Sequence, residues 1–224
     1  MSKPQLKSIP SVAPAPKRKQ SKRGLETERK LIAAADEVFW THGYGGATIT
    51  QIIDASGLSV GSFYHRFADK DALLEAATRN VSKEFSAMLQ DVDFTRETNG
   101  DLFTLFYRLV VNGRKLVSRN RGIYRALIET VQSDVTRFGT LTNITPQLIA
   151  RIRVEIGGYS DQMTRPQGSV SSAVQLATMT VMQTELGLGP AFPKDPDAFA
   201  QTIARACCGV LGYHGPNLPQ VERE

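Results

Sequence analysis

The stretch that most constrains this chain is residues 48–67, TITQIIDASGLSVGSFYHRF. Thr48 and Gln51 stand at capping-box spacing, where each side chain satisfies a backbone donor that a helix start leaves open. A short helix therefore opens at Thr48. Ile49, Ile52 and Ile53 give it one apolar stripe, and Ser56-Gly57 supplies a residue that tolerates positive φ and stops it. After a turn of three or four residues, Ser59 caps a second helix, predicted over nine residues, in which Phe63 and Phe67 share one face. Gly61 and His65 then point the other way, flanked by Ser62 and Tyr64. The pattern is that of a helix-turn-helix whose second helix, about 13 Å long, lays polar side chains against base edges in a major groove roughly 12 Å wide. The bland alternative is two surface helices joined by a glycine turn. The residues after Phe67 favour nucleic acid: Asp69 caps a new helix with Lys70 in its first turn, where the macrodipole prefers an acid. A lysine there suits a phosphate partner.

Gly43-Tyr44, Thr48-Ile49, Ile52, Gly57-Leu58-Ser59, Gly61-Ser62-Phe63-Tyr64, Phe67, Lys70 and Leu73-Leu74 follow a helix carrying Ala34-Ala35 and Phe39. In their combined spacing, Phe39 to Leu74 resembles the DNA-binding domain of the TetR (tetracycline repressor) family of bacterial transcription regulators. The resemblance covers roughly the first third of the chain; beyond residue 90 it is one of helix number and length. It implies an all-α fold, with an N-terminal helix-turn-helix three-helix domain and a C-terminal helical ligand-binding and dimerisation domain. It also implies a sequence-specific regulator, a repressor released from double-stranded operator DNA by a small effector, acting as a homodimer without cofactor or catalysis. Carried over residue by residue, it gives Thr48, Thr50, Ser62, Tyr64, Arg66 and Lys70 phosphate contacts and turns Val60, Gly61 and His65 to bases, with Ser59 opening the same helix. The chemistry sorts them the same way, since hydroxyls and cations position a protein while a ring or a small apolar group reads base edges. The chain departs from the family pattern at Gly45-Gly46, which loosens the turn before Thr48, and at Ile53, where a small residue is usual. Val60 and Gly61 offer no hydrogen bonds, so base preference rests on His65 and on DNA shape.

Charge divides the chain. Net charge is +5, yet Lys3, Lys7, Lys17, Arg18, Lys19, Lys22 and Arg23 all precede the first acid, Glu26, so the remainder is mildly acidic. With Pro4, Pro10, Pro14 and Pro16 interrupting any period, residues 1–24 read as a disordered basic arm, either a solubilising leader or an arm that adds counterion release on DNA. Residues 25–90 are the predicted DNA-binding unit with its connecting helix, and 91–224 the effector and dimerisation unit. No apolar run approaches the roughly 18 residues of a membrane span, and the start lacks the apolar core of a secretory signal. A cytoplasmic protein with no membrane partner is expected.

Helices are expected over Leu25–His42, stopped by Gly43, and over about 70–90, followed by a polar stretch from Asp91 to Gly100. Further apolar periods run through Leu102–Val117, Ile123–Val131 and Leu148–Ile156, with one loop bracketed by Gly157-Gly158 and residues 165–168 and another over 187–196. The segments 169–186 and 197–212 are the predicted dimer helices, the latter through Ala200, Ala204 and Cys208 at four-residue spacing. Phe103, Phe106, Tyr107, Tyr124, Leu127, Met163, Met179 and Met182 are candidates to line a site for an apolar or aromatic effector, against the alternative of a filled core.

Other chemistry is thin. Gly57-Leu58-Ser59-Val60-Gly61 matches the nucleophile-elbow pattern of a serine hydrolase, but that motif requires a strand before the serine and here a helix precedes it. His42, His65 and His214 lack metal-ligand spacing, and Cys207-Cys208 is too tight for the usual paired-cysteine sites. A DNA organiser that needs no effector is the remaining alternative.

Overall fold

Helix α1 (Lys22–Gly46) buries Leu31, Ala34, Ala35, Val38 and Phe39 along one stripe. Gly43, at φ 69° and ψ 171°, kinks the chain where the sequence predicts a stop, and helical geometry resumes through Gly45-Gly46. The computed structural model describes residues 22–131, 144–165, 169–189, 193 and 195–215. Of the basic arm only Lys22, Arg23 and Gly24 fall among them, as the first turn of α1; the rest lies outside the described residues.

Then come α2 (Ile49–Ser56), α3 (Val60–Tyr64) and α4 (Lys70–Asp91). Next are α5 (Arg96–Asn99), α6 (Leu102–Arg119), α7 (Arg121–Val131) and α8 (Ile144–Glu155), then a 3-10 segment Ile156–Gln162, α9 (Ser169–Glu185) and α10 (Pro196–Leu211). No strand occurs among the described residues, only an isolated antiparallel bridge between Met163 and Tyr213. Two sequence expectations change. Asp91 to Gly100 contains the single turn α5, because the Thr95 and Asp93 side chains accept from the backbone and cap it. The loop expected between Gly157-Gly158 and residues 165–168 opens as the 3-10 segment, in which the Tyr159 ring is fully buried and its hydroxyl donates to Phe94 O, while residues 166–168 lie outside the described residues.

One continuous core runs from Leu31 to Tyr213. Helix α10 starts at an Asp195 cap with Pro196 in its first turn and stops at Gly212 in left-handed geometry. Its Ala200, Ala204 and Cys208 are fully buried against α6 and α9, so the close approach those small residues permit is made within the chain. The faces of α9 and α10 that remain exposed carry Leu176, Met179 and Gln183, and Thr202, Ala206 and Gly209. The adjacent cysteines are free, and burial pushes both thiols up to about 12.

Candidate nucleic-acid interface

The capping box at Thr48 is complete: Thr48 Oγ1 accepts from Gln51 N at 3.2 Å, and Thr48 N donates to Gln51 Oε1 at 2.8 Å. Ile52 and Ile53 turn inward, and Gly57, at φ 65°, reverses the chain. Ile53, bulkier than the family's usual residue, is accommodated by burial. Ser59 then caps α3, accepting from Ser62 N, while the Ser59 and Ser62 hydroxyls pair at 2.9 Å. Helix α3 is five residues long, shorter than predicted, because Arg66 N bonds to Phe63 O at three-residue spacing and tightens the last turn. Its register is as the sequence implies. Phe63 is fully buried, with its ring edge-on to Phe67 at 5.9 Å, whereas Val60 and Tyr64 are 59% and 54% exposed beside exposed Gly61 and His65.

The ten expected DNA contacts thus separate. Val60, Gly61, Tyr64 and His65 share the exposed face of α3, and Thr50 is exposed on α2. Thr48, Ser59 and Ser62 sit beside them with hydroxyls engaged in caps. Arg66 is turned inward, its guanidinium 3.5 Å from Glu28 on α1. Lys70 is likewise engaged: its ammonium donates to Tyr44 O at 2.6 Å and Ala47 O at 2.7 Å and lies 4.3 Å from the Tyr44 ring centroid. It closes the carbonyl end of α1 as a C-terminal cation should. Tyr44 also hydrogen-bonds the Asp71 carboxylate, so the start of α4 is fastened to the corner between α1 and α2. Ser59 is preceded by helix, and among the described residues no histidine is hydrogen-bonded to it.

Sequence reasoning missed a second junction. Helix α7 docks on α1 so closely that a Cβ on Gly122 would stand 1.8 Å from Asp36 O. Asp36 accepts from Ile123 N at 2.9 Å, Arg125 donates to Trp40 O at 2.5 Å, Glu129 accepts from Tyr44 N at 2.6 Å, and Arg121 stacks on Trp40. Burial lifts the Asp36 carboxyl to about 6, against the opposing pull of the Ile123 and Gly122 amides. Signals existed in Asp36, Gly122 and Arg125, but no local pattern joins residues about ninety apart.

Behind this junction lies a cavity of about 520 Å³ bordered by α4, α6, α7, α8 and α9. Of the eight expected lining residues it takes Tyr124, Met179 and Met182. Phe106 and Leu127 are filled core. Phe103 stacks on Tyr107, whose hydroxyl donates to Asp197 at 2.5 Å, so both face α10, and Met163 pairs with Tyr213. Phe85, Met88, Leu109 and Leu116 complete the apolar wall. No group of metal-ligating side chains forms among the described residues, and no helix there is long and apolar enough to cross a membrane.

Residues 31–77 match the family model described as bacterial regulatory proteins, tetR family. Over 63 residues the chain is 44% identical to the HTH-type transcriptional regulator CymR of Pseudomonas putida, covering 28% of this chain and 31% of that protein. It is 30% identical over 65 residues to the HTH-type transcriptional repressor AcnR of Corynebacterium glutamicum, covering 29% and 35%. The chain spans about a third of the length of these curated relatives. The fold reaches further: a bacterial regulatory protein of the tetR family from Rhodococcus RHA1 superposes with a TM-score of 0.66 at 19% identity, over 85% of this chain and 99% of that one. Salmonella enterica GusR superposes with a TM-score of 0.61 at 18% identity, over 84% and 96%.

Proposed function

We propose that this chain, whose residues 31–77 match the tetR family model and whose fold superposes on a tetR-family regulator, is a sequence-specific DNA-binding transcription regulator, acting as a repressor that a small molecule releases. The observation that carries this reading is the exposed face of α3, where Val60, Gly61, Tyr64 and His65 stand clear of the core on a helix capped by Ser59. A small apolar residue can meet a thymine methyl and an imidazole can bond a base edge. Thr50 and Tyr64 then contact phosphates, and Lys70 orients the helix pair rather than touching DNA. Because α3 itself carries no free cation, the basic segment before Glu26 supplies the counterion release that affinity requires.

On this reading, residues up to about 90 bind DNA and those after it bind the effector and a second copy. A five-residue helix meets too few bases to be selective alone, so two copies present two such helices about 34–36 Å apart on one duplex face. Effector release works through α4 and α7, each of which borders the cavity and is also bonded to α1. Selection of duplexes from a random pool by the full chain tests the function. A recovered pair of inverted half-sites one helical turn apart is the expected result. Recovery of no common sequence would favour an organiser of DNA in general and overturn this proposal.

A further inference from the structure

The cavity's chemistry narrows its occupant. Among the described residues its wall holds no lysine, arginine, histidine or carboxylate. An ionised ligand group seated against this wall would therefore lose water without gaining a counter-charge from it, which is strongly unfavourable. The hydroxyls of Thr145 and Thr178 are no substitute, since Thr178 donates back to Val174 O at 3.0 Å and Thr145 lies 3.5 Å from Thr178 Oγ1. Tyr124 differs. Its residue is 6% exposed, it borders the cavity from α7, and its phenol has no hydrogen-bond partner among the described residues. Burial first, and the Glu84 carboxylate second, raise its pKa, so it stays a neutral O–H donor. With no protein partner among the described residues, the Tyr124 hydroxyl is left to be met from within the cavity it borders, by water or by a ligand oxygen, and Glu84 adds a negative field that disfavours an anion. Met88, Met179 and Met182 supply a polarisable, adaptable wall around it.

We propose that the cavity binds an uncharged lipophilic molecule carrying one hydrogen-bond acceptor, a carbonyl or ether oxygen, which takes the Tyr124 proton donor. The proposal deepens the ligand-released reading above by giving the effector a chemical class, and rests on it only in calling the occupant an effector. It also places the polar recognition point on α7, one residue from Ile123, whose amide is held by Asp36 of α1.

The test uses the full-length protein and four aromatic probes of matched size, with binding measured by calorimetry. The probes are naphthalene, 2-acetylnaphthalene, 2-naphthoate and 2-naphthylmethylammonium. The ketone is expected to bind about tenfold more tightly than naphthalene, the worth of one buried neutral hydrogen bond, and both ions more weakly than either. Tyr124→Phe should abolish the ketone's advantage and leave naphthalene unchanged, and Met182→Trp, which fills the cavity, should weaken both neutral probes. Equal or tighter binding of 2-naphthoate, a ketone advantage that survives Tyr124→Phe, or failure of every probe to bind would each overturn the proposal. Selection of DNA is measured separately, so a chain that binds the ketone through Tyr124 yet selects no duplex would refute the regulator and leave the ligand class standing.

Discussion

Around Thr48–Phe67 polar side chains do local jobs, whereas around the cavity they work across long stretches of chain. Thr48, Ser59 and Asp69 each bond a backbone amide three residues away, so the helix pair is specified by its own sequence. Asp36, Glu129 and Arg125 instead join α1 to α7 across more than eighty residues. The two regions also differ in what they leave open. The first buries Phe63 and Phe67 and exposes a narrow face of Val60, Gly61, Tyr64 and His65; the second borders a largely apolar cavity with the Tyr124 hydroxyl on its wall. On the proposed function, the difference suits a rigid reading head attached to a body that changes when filled, with α4 and α7 as the shared struts.

The sharpest way to break this contrast is in the small core behind α3. Phe63→Ala removes a fully buried ring and is expected to lower unfolding stability by about 3–5 kcal/mol and to abolish DNA selection. Denaturant titration checks the first effect. A loss under about 1 kcal/mol would mean that the helix pair does not rely on this ring. Next is the strut, where Gly122→Ala places a methyl within 1.8 Å of the Asp36 carbonyl. Backbone faces backbone, so the helices must separate, at a cost of about 3 kcal/mol, visible in the same titration. An unchanged midpoint would show that α7 is not tightly docked.

Lys70→Met sharpens the division between positioning and contact. Two charge-assisted bonds to carbonyls are lost, with an expected destabilisation of about 2 kcal/mol. The slope of log affinity against log salt should stay the same, since no phosphate contact disappears; a slope smaller by about one would restore Lys70 to the DNA surface. A further effect concerns pH. Asp36 is lifted from 3.8 to about 6 by burial, so between those values the folded chain holds a proton that the unfolded chain has released. Its contribution is therefore fully present below the unfolded value of 3.8 and is lost as pH rises through about 6. Asp36→Asn should flatten that part of the stability profile, measured by thermal unfolding at stepped pH.

The same contrast explains what could be read from the chain. Caps, the Gly57 turn and the Phe63/Phe67 register are short-range, and each follows from neighbours within four residues. The body's helices were legible from their apolar periods, but not their mutual rotation, since periodicity marks a buried face without naming its partner. Hence Tyr107 and Phe103, equally apolar candidates, turn to α10 while Leu109 and Leu116 border the cavity. Ala200, Ala204 and Cys208 likewise signalled a close neighbour, and the neighbour proved to be α6 and α9 of the same chain. Lys70 and Arg66 were legible as cations but not as engaged ones, because the carbonyls of Tyr44 and Ala47 and the carboxylate of Glu28 reach them only after folding.

Whether the exposed face of α3 reads DNA sequence, as proposed, is decided at His65. Its side chain is exposed and makes no fold-stabilising bond among the described residues, so His65→Ala should leave unfolding stability unchanged. Wild type and variant are titrated by fluorescence anisotropy against the selected duplex and every single-base substitution of it. The variant is expected to lose about 1–3 kcal/mol of discrimination at one position in each half-site and to keep its preference elsewhere. Identical preferences at every position for the two proteins would contradict it.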